Sequence, residues 1–280
     1  MKVLLHGCRA VVRCRDFTAA LMLLFALLVA APLAAKPIPL TQPLDLQGKR
    51  VLVVPLLGRT AGAYSFSRMI FGSYSRDQGE PGSGINVDAV AAREVQSKLA
   101  SLGVDAEVLS IDYDDVDIYG DRESLFNRQM PRGWKLDAIA AQLLRDRQPD
   151  AVLLLARSGL YMGDYLPPAI GYGVVLTRKG GGAYVSMLQA LYVPGRKSPQ
   201  TTRIANARRP VDGIVSEKNL EFPPPETWAK VAPLLDDLTG RLGRSLAAEV
   251  YDRARRPPPS ATSTWRSIYT REEFVDPFSP

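Results

Sequence analysis

Beyond residue 35 this chain has no histidine and no cysteine: its one His is His6, and its two Cys are Cys8 and Cys14. Each absence removes a class of chemistry from residues 36–280. Without cysteine no disulfide forms there, even in a compartment that permits one. Without imidazole or thiolate there is no zinc site built from those donors. A Ser-His-Asp triad and a Cys-His pair are excluded for the same reason. The chain has no Gly-x-x-x-x-Gly-Lys phosphate loop. Ser158-Gly159 is no nucleophile elbow, because Ala156 stands where the first glycine of Gly-x-Ser-x-Gly belongs. No internal repeat is present, and no cofactor is expected.

What is there begins with a leader. Lys2, Arg9, Arg13 and Arg15 precede an uncharged span, Phe17–Ala35, whose Pro32-Leu33-Ala34-Ala35 end offers the small residues that signal peptidase takes. Its 19 residues are near the minimum for a membrane helix, roughly 17–25. Cleavage is the expectation, and a retained anchor is the other outcome; the membrane is a partner only in that second case. Cys14 separates Arg13 from Arg15, so the signal is not twin-arginine, and no cysteine stands at the cleavage region to carry a lipid. Loss of residues 1–35 lowers the net charge from +6 to +3, with 31 basic and 28 acidic residues remaining. That is an ordinary surface balance and no footprint for nucleic acid.

The stretch that organises the rest is Asp150–Gly159. Ala151–Ala156 is unbroken and apolar, Pro149 precedes it and Gly159 closes it. Such a run reads as a strand buried on both faces, because neither face tolerates polar side chains. Arg50–Leu57 is the first strand, rich in β-branched residues. Gly58–Asn86 follows as a long loop carrying glycines and aromatics, and connections of this length are usually functional or disordered. Val87–Leu102 is a helix, with Asn86 as N-cap and Gly103 as its stop. Val104–Ile111 is a strand, Asp112–Gly133 an acidic loop, and Trp134–Arg147 a second helix. After the central run come strand-like segments at Ile170–Arg178, Ala183–Val193 and Gln200–Ala207, the first two joined by a glycine turn. Thr227–Ala254 is a long amphipathic helix with Pro233 inside.

The fold class is α/β: a two-layer or three-layer sheet that starts parallel (β-α-β-α-β), ends as an antiparallel meander, and carries a long C-terminal helix. The chain divides into a signal peptide (1–35), an extended lead-in (36–49), an α/β domain (50–207), an irregular linker (208–225), a C-terminal helix packed on the domain (226–256) and an extended tail (257–280).

Loops that follow parallel strands emerge at one edge of a sheet, where ligands bind. Those loops hold Tyr64, Tyr74, Tyr113, Tyr119, Tyr161 and Tyr165, six of the chain's eleven tyrosines. Tyrosine presents contact area at low entropic cost. These six, with Arg59, Arg68 and Arg76 as polar anchors, are the candidate binding residues for a protein or glycan; aromatics packing their own loop are the alternative. The acidic loop fails as an EF-hand: counting from Asp115, position 5 is Tyr119 and position 12 is Phe126. No metal site is expected. Asp112, Asp114, Asp115 and Glu123 supply carboxylates for a glycan hydrolase, but no spacing singles out a facing pair.

Arg50–Leu57, the helix end Leu99–Gly103 before Val104, Gln148–Leu155, and Ala183–Arg196 with its Val-Pro-Gly turn resemble the pattern of the curli-secretion lipoprotein family and of the amino-terminal domain of the Tol-system propeller protein. The resemblance spans Arg50–Ala207. It implies an assembly or binding protein of the bacterial envelope without enzymatic activity. The chain departs from it by lacking the lipid-bearing cysteine and by the Gly58–Asn86 insertion. The expectation is a periplasmic or secreted protein with an envelope protein or glycan as partner. The alternative is a carboxylate-dependent hydrolase of cell-wall or exported glycans. A homodimer through the C-terminal helix follows if that helix's leucine stripe stays exposed.

Overall fold

In Arg50–Leu56 (β1), everything after Arg50 is buried, and in Ala151–Arg157 (β5) every residue is. The two pair in parallel, Val51 opposite Ala151 through Leu56 opposite Ala156. The organising run is therefore an interior strand, as its unbroken apolar pattern requires. These positions belong to a computed structural model that describes residues 43–67, 73–82, 84–113, 118–119, 133–160, 169–177, 180–211 and 222–256. The chain divides into Met1–Pro39 and Leu40–Pro280, and every described residue belongs to the second. The leader thus lies outside the described residues. Among the described residues, no helix is long and apolar enough to cross a membrane.

The remaining strands are Ala61–Ser67 (β2), Ser73–Gly79 (β3), Asp105–Val108 (β4), Gly159–Leu160 (β6), Ala169–Ile170 (β7), Tyr172–Thr177 (β8), Gly180–Tyr192 (β9) and Thr201–Val211 (β10). The helices are Val87–Ser101 (α1), Gly133–Arg147 (α2) and Pro225–Ala254 (α3). One mixed sheet runs β3-β2-β8-β9-β5-β1-β4, with β10 also paired to β9. β1 pairs in parallel with β4 and β5, and the β8–β9–β10 meander is antiparallel. The mixed α/β class and the long C-terminal helix agree with the sequence reading. The Gly58–Asn86 loop does not: it contains the β2–β3 hairpin, which joins the sheet through β8.

β9 is the spine of this sheet. Gly181–Leu191 pairs with β10 on one edge. On the other edge, Met187–Tyr192 pairs with β5 and Gly180–Val185 with β8. β5 and β8 therefore lie end to end along one line, and β1 and β2 follow the same line beside them. The handover falls at Ser186. Its N–H donates to the Gly171 carbonyl (2.6 Å), and its carbonyl accepts from the Ser158 N–H (3.1 Å). Between those partners the chain leaves the sheet, and β6 pairs with β7 there.

That excursion is held down by two tyrosines. The Ile170 N–H donates to the Tyr64 hydroxyl (3.0 Å), and the Tyr184 hydroxyl donates to the Ile170 carbonyl (2.9 Å). The two rings meet edge to face, 5.8 Å apart. Beneath them Gly62 lies opposite Gly173. Gly173 has φ +151°, and a Cβ on it would stand 1.9 Å from the Gly62 carbonyl oxygen. The glycine there is a condition of β2 reaching β8 at all.

Two apolar clusters form from alternating strand residues. Val51, Val53, Leu153, Leu155, Met187 and Leu191 share one with α1 and α3. Leu52, Val54, Leu56, Val152, Leu154 and Leu188 share the other with Leu136 and Ala140 of α2. Period-two alternation puts them on opposite faces. Each fully buried leucine or valine here contributes about 1.5–3 kcal/mol relative to exposure. Helix α1 is capped as its sequence suggests: the Asn86 side chain accepts from the Ala89 N–H (3.0 Å), and Gly103 has φ +80°. Helix α3 runs through Pro233 and buries Trp228, Val231, Leu235, Leu238, Leu242, Leu246 and Val250. The stripe lies within the core cluster that α3 shares with α1 and the sheet, so it is not left exposed, the condition on which the homodimer rested.

Candidate functional site

Parallel pairing brings the C-terminal ends of β1, β4 and β5 to one edge, and a polar cluster ties them together. Asp88, in the first turn of α1, accepts the N–H groups of Leu57 (2.7 Å) and Gly58 (3.2 Å) just past β1. The Tyr113 hydroxyl, from the segment after β4, donates to the same carboxylate (3.3 Å). The Tyr119 hydroxyl donates to the Leu56 carbonyl and accepts the Arg157 N–H (3.0 Å). Arg157 ends β5. It is 3% exposed, its Nε donates to the Leu57 carbonyl, and its guanidinium lies 4.5 Å from the centre of the Tyr119 ring. The Tyr172 hydroxyl donates to the Gly58 carbonyl (3.2 Å).

These groups satisfy one another. Buried polar atoms need partners, and here the backbone ends of the strands provide them. Burial pushes the Asp88 carboxyl above its usual range, although two backbone N–H groups, Tyr113 and the charge of Arg157 pull the other way. Desolvation outweighs the hydrogen bonds. A raised folded-state pKa means that the folded form holds its proton to higher pH than the unfolded chain does. Stability from this residue is therefore full below the unfolded carboxyl value of 3.8 and declines as pH rises through the folded pKa. Asp88→Asn is expected to lack that decline, so the wild-type unfolding free energy minus that of the variant, measured by urea titration across the acid range, should fall as pH rises. A difference flat in pH would show that Asp88 titrates normally.

The expected binding residues fall in several places. Tyr113 and Tyr119 join the cluster, the first half-buried and the second buried. Tyr64 is buried under the β6–β7 excursion. Arg59 is exposed. Tyr74 and Arg76 lie on β3, opposite Phe66 and Tyr64 in register. Arg68, Tyr161 and Tyr165 lie outside the described residues. Of the acidic loop, Asp112 is exposed, while Asp114, Asp115 and Glu123 lie outside the described residues. Asp88, Arg157, Tyr172 and Tyr184 were not anticipated. Arg157 did have a signal, as the one charge ending an otherwise apolar strand.

Beside the cluster, between α1 and β4, is a cleft of about 340 Å³ lined by Asn86, Asp88, Arg93, Gln96, Val108 and Ser110. Among the described residues lining it, Asp88 is the one carboxylate. No group of His, Cys, Asp and Glu among the described residues is placed to hold a metal ion. The arrangement braces strand ends; the polar groups described here form no nucleophile-and-base pair.

No known protein-family model matches the chain, and no curated protein matches it. Among solved structures, it is similar to protein XCC0632 from Xanthomonas campestris, with TM-score 0.38 and 10% identity over 78% of this chain and 90% of the other. A PelC dodecamer structure from Paraburkholderia phytofirmans gives TM-score 0.31 and 11% identity over 77% and 96%. Lipoprotein GNA1162 from Neisseria meningitidis gives 0.30 and 13% over 73% and 99%. All three TM-scores are under 0.5, and these likenesses carry no argument about what the chain does.

Proposed function

We propose that this is an exported, non-enzymatic binding or assembly protein of the bacterial cell envelope, which engages an envelope protein or glycan at the loops leaving β1, β4 and β5. One observation carries the reading: the polar groups at the strand ends are spent on one another and on the backbone. A hydrolytic site keeps a carboxylate or base available to substrate; here Asp88 already accepts three hydrogen bonds. The leader and the lack of imidazole and thiol beyond residue 35 point the same way. Half-buried Tyr113 and exposed Arg59 then face this surface, and buried Tyr119 holds its strand ends from beneath.

Mass spectrometry of the protein recovered from cell fractions tests the first half of this reading. The expected result is a periplasmic or secreted chain beginning near Lys36. A cytosolic chain beginning at Met1 overturns export. Cross-linking in the envelope tests the second half: Arg59→Glu is expected to weaken the wild-type cross-link at unchanged melting temperature. A cross-link indifferent to Arg59→Glu removes the strand-end surface from the proposal.

A further inference from the structure

Strand β10 has a neighbour on one side only, β9, among the described residues. Which of its backbone groups face outward follows from Ser186. Ser186 turns its N–H and carbonyl toward Gly171 and Ser158, away from β10. Its neighbours along β9 must point the other way, as the bond from the Gln200 N–H to the Leu191 carbonyl shows (2.6 Å). By register, Thr201, Arg203, Ala205 and Ala207 bond to β9, and Thr202, Ile204, Asn206 and Arg208 turn their peptide groups outward. Pro210 falls in the same outward set, where the missing N–H costs the sheet nothing.

The charge on this ribbon is of one sign. Gly180–Val211 contains Arg196, Lys197, Arg203, Arg208 and Arg209, and no aspartate or glutamate. Helix α3 answers two of them: Glu249 pairs with Arg203 (3.2 Å) and Asp237 with Arg209 (3.2 Å). Arg208 is half-buried and has no hydrogen bond or ion pair among the described residues. Its stem leans over β9, where a Cβ on Gly182 would stand 2.8 Å from its Nε, so a carboxylate at the open edge meets it through a rotamer change. Burial lowers its affinity for its proton, so a carboxylate beside it offsets a cost already incurred.

We propose that β10 takes an extended, acidic segment of a partner protein as an added strand, with a carboxylate of that segment beside Arg208. The row of outward N–H and carbonyl groups supplies affinity, and the guanidinium selects the charge. A second copy of β10 fits poorly: antiparallel pairing about a two-fold at Asn206 sets Arg203 opposite Arg209 of the other copy, like against like, and brings Ile204 and no carboxylate opposite Arg208. Phosphate-bearing surfaces answer the arginines but leave the peptide row unpaired. This surface is separate from the strand-end loops, and the inference does not rest on the function proposed for them.

The test is fluorescence anisotropy with the full chain and a labelled ten-residue peptide alternating glutamate with valine. Binding is expected, and a lysine-valine peptide is expected not to bind. Arg208→Glu is expected to weaken binding by at least about tenfold and to favour the lysine peptide. Asn206→Pro removes an outward N–H and the side-chain oxygen that accepts from the Ser186 hydroxyl, and is expected to weaken binding similarly at an unchanged circular dichroism spectrum. Asn206→Ala loses the side-chain bond alone and is expected to bind as the wild type does. The idea is overturned if the glutamate peptide does not bind. Binding by Arg208→Glu and Asn206→Pro equal to the wild type's overturns it too, as does stronger binding to phosphatidylglycerol vesicles or oligodeoxythymidine with Asn206→Pro indifferent.

Discussion

Gly173→Ala is expected to lower the melting temperature by about 10 °C or more and to loosen β2 and β3 first. The reason is local and geometric. A φ of +151° is one that L-residues avoid, and the added Cβ would sit 1.9 Å from the Gly62 oxygen. Neither the φ nor the clash is relieved by a side-chain move, because both partners are backbone. Strain of this kind costs about 1–3 kcal/mol. Separating β2 from β8 adds the loss of their pairing from Gly62–Gly173 to Ser65–Leu176. For a domain of this size each kcal/mol is worth about 2–4 °C. Calorimetry reads the total, and amide exchange reads the order. If β1 and β5 amides exchange as early as those of β2, the two halves of the sheet unfold as one unit and the local account fails.

Arg157→Ala is expected to cost about 3–5 kcal/mol, the range for removing one member of a buried charged set. Three consequences combine. The Leu57 carbonyl loses the donor at its side. The Tyr119 ring loses the guanidinium over its face. Asp88 loses a nearby positive charge that favours its ionised form. A urea titration gives the size, and Arg157→Lys separates charge from shape. Lysine keeps the charge but not the planar fork, so most of the loss is expected to persist. Full rescue by lysine would mean that the charge alone matters there. The folded protein should also hold Asp88 protonated to still higher pH in Arg157→Ala, which sharpens the acid-range decline predicted for the wild type.

Local pattern carried well in this chain where one physical signal dominated. Asn86 and Gly103 bracket α1 because a capping oxygen and a residue free to adopt positive φ are local requirements. Ala151–Ala156 reads as an interior strand because burial on both faces leaves only one composition. The Leu and Val spacing of α3 marks its buried face for the same reason. The β2–β3 hairpin was not legible. Gly58 and Gly62 look like loop punctuation, and Ser65, Ser67, Ser73 and Ser75 give no apolar alternation. Only the pairing with β8, distant in sequence, makes these residues strands. β10 runs on to Val211, beyond the Ala207 expected for it, because Arg208-Arg209-Pro210 has the composition of a linker. An edge strand tolerates that composition and an interior strand does not. The polar cluster was half legible. Tyr113 and Tyr119 were anticipated as contact residues, but nothing local shows that their hydroxyls turn inward to strand ends. Asp88 and Arg157 meet across a sequence gap that no spacing rule spans.

The two ends of the described chain are fastened at one pole. The Leu44 N–H donates to the Ala254 carbonyl (2.6 Å), and Arg255 pairs with Asp45 (3.8 Å). β1 then climbs away from that pole for seven residues, about 20 Å at strand rise, before it reaches the braced edge. Among the described residues, the fastened pole and the braced edge thus lie at opposite ends of β1. Loosening either of these two ends therefore loosens the other, and the strain reaches the braced edge only through the length of β1.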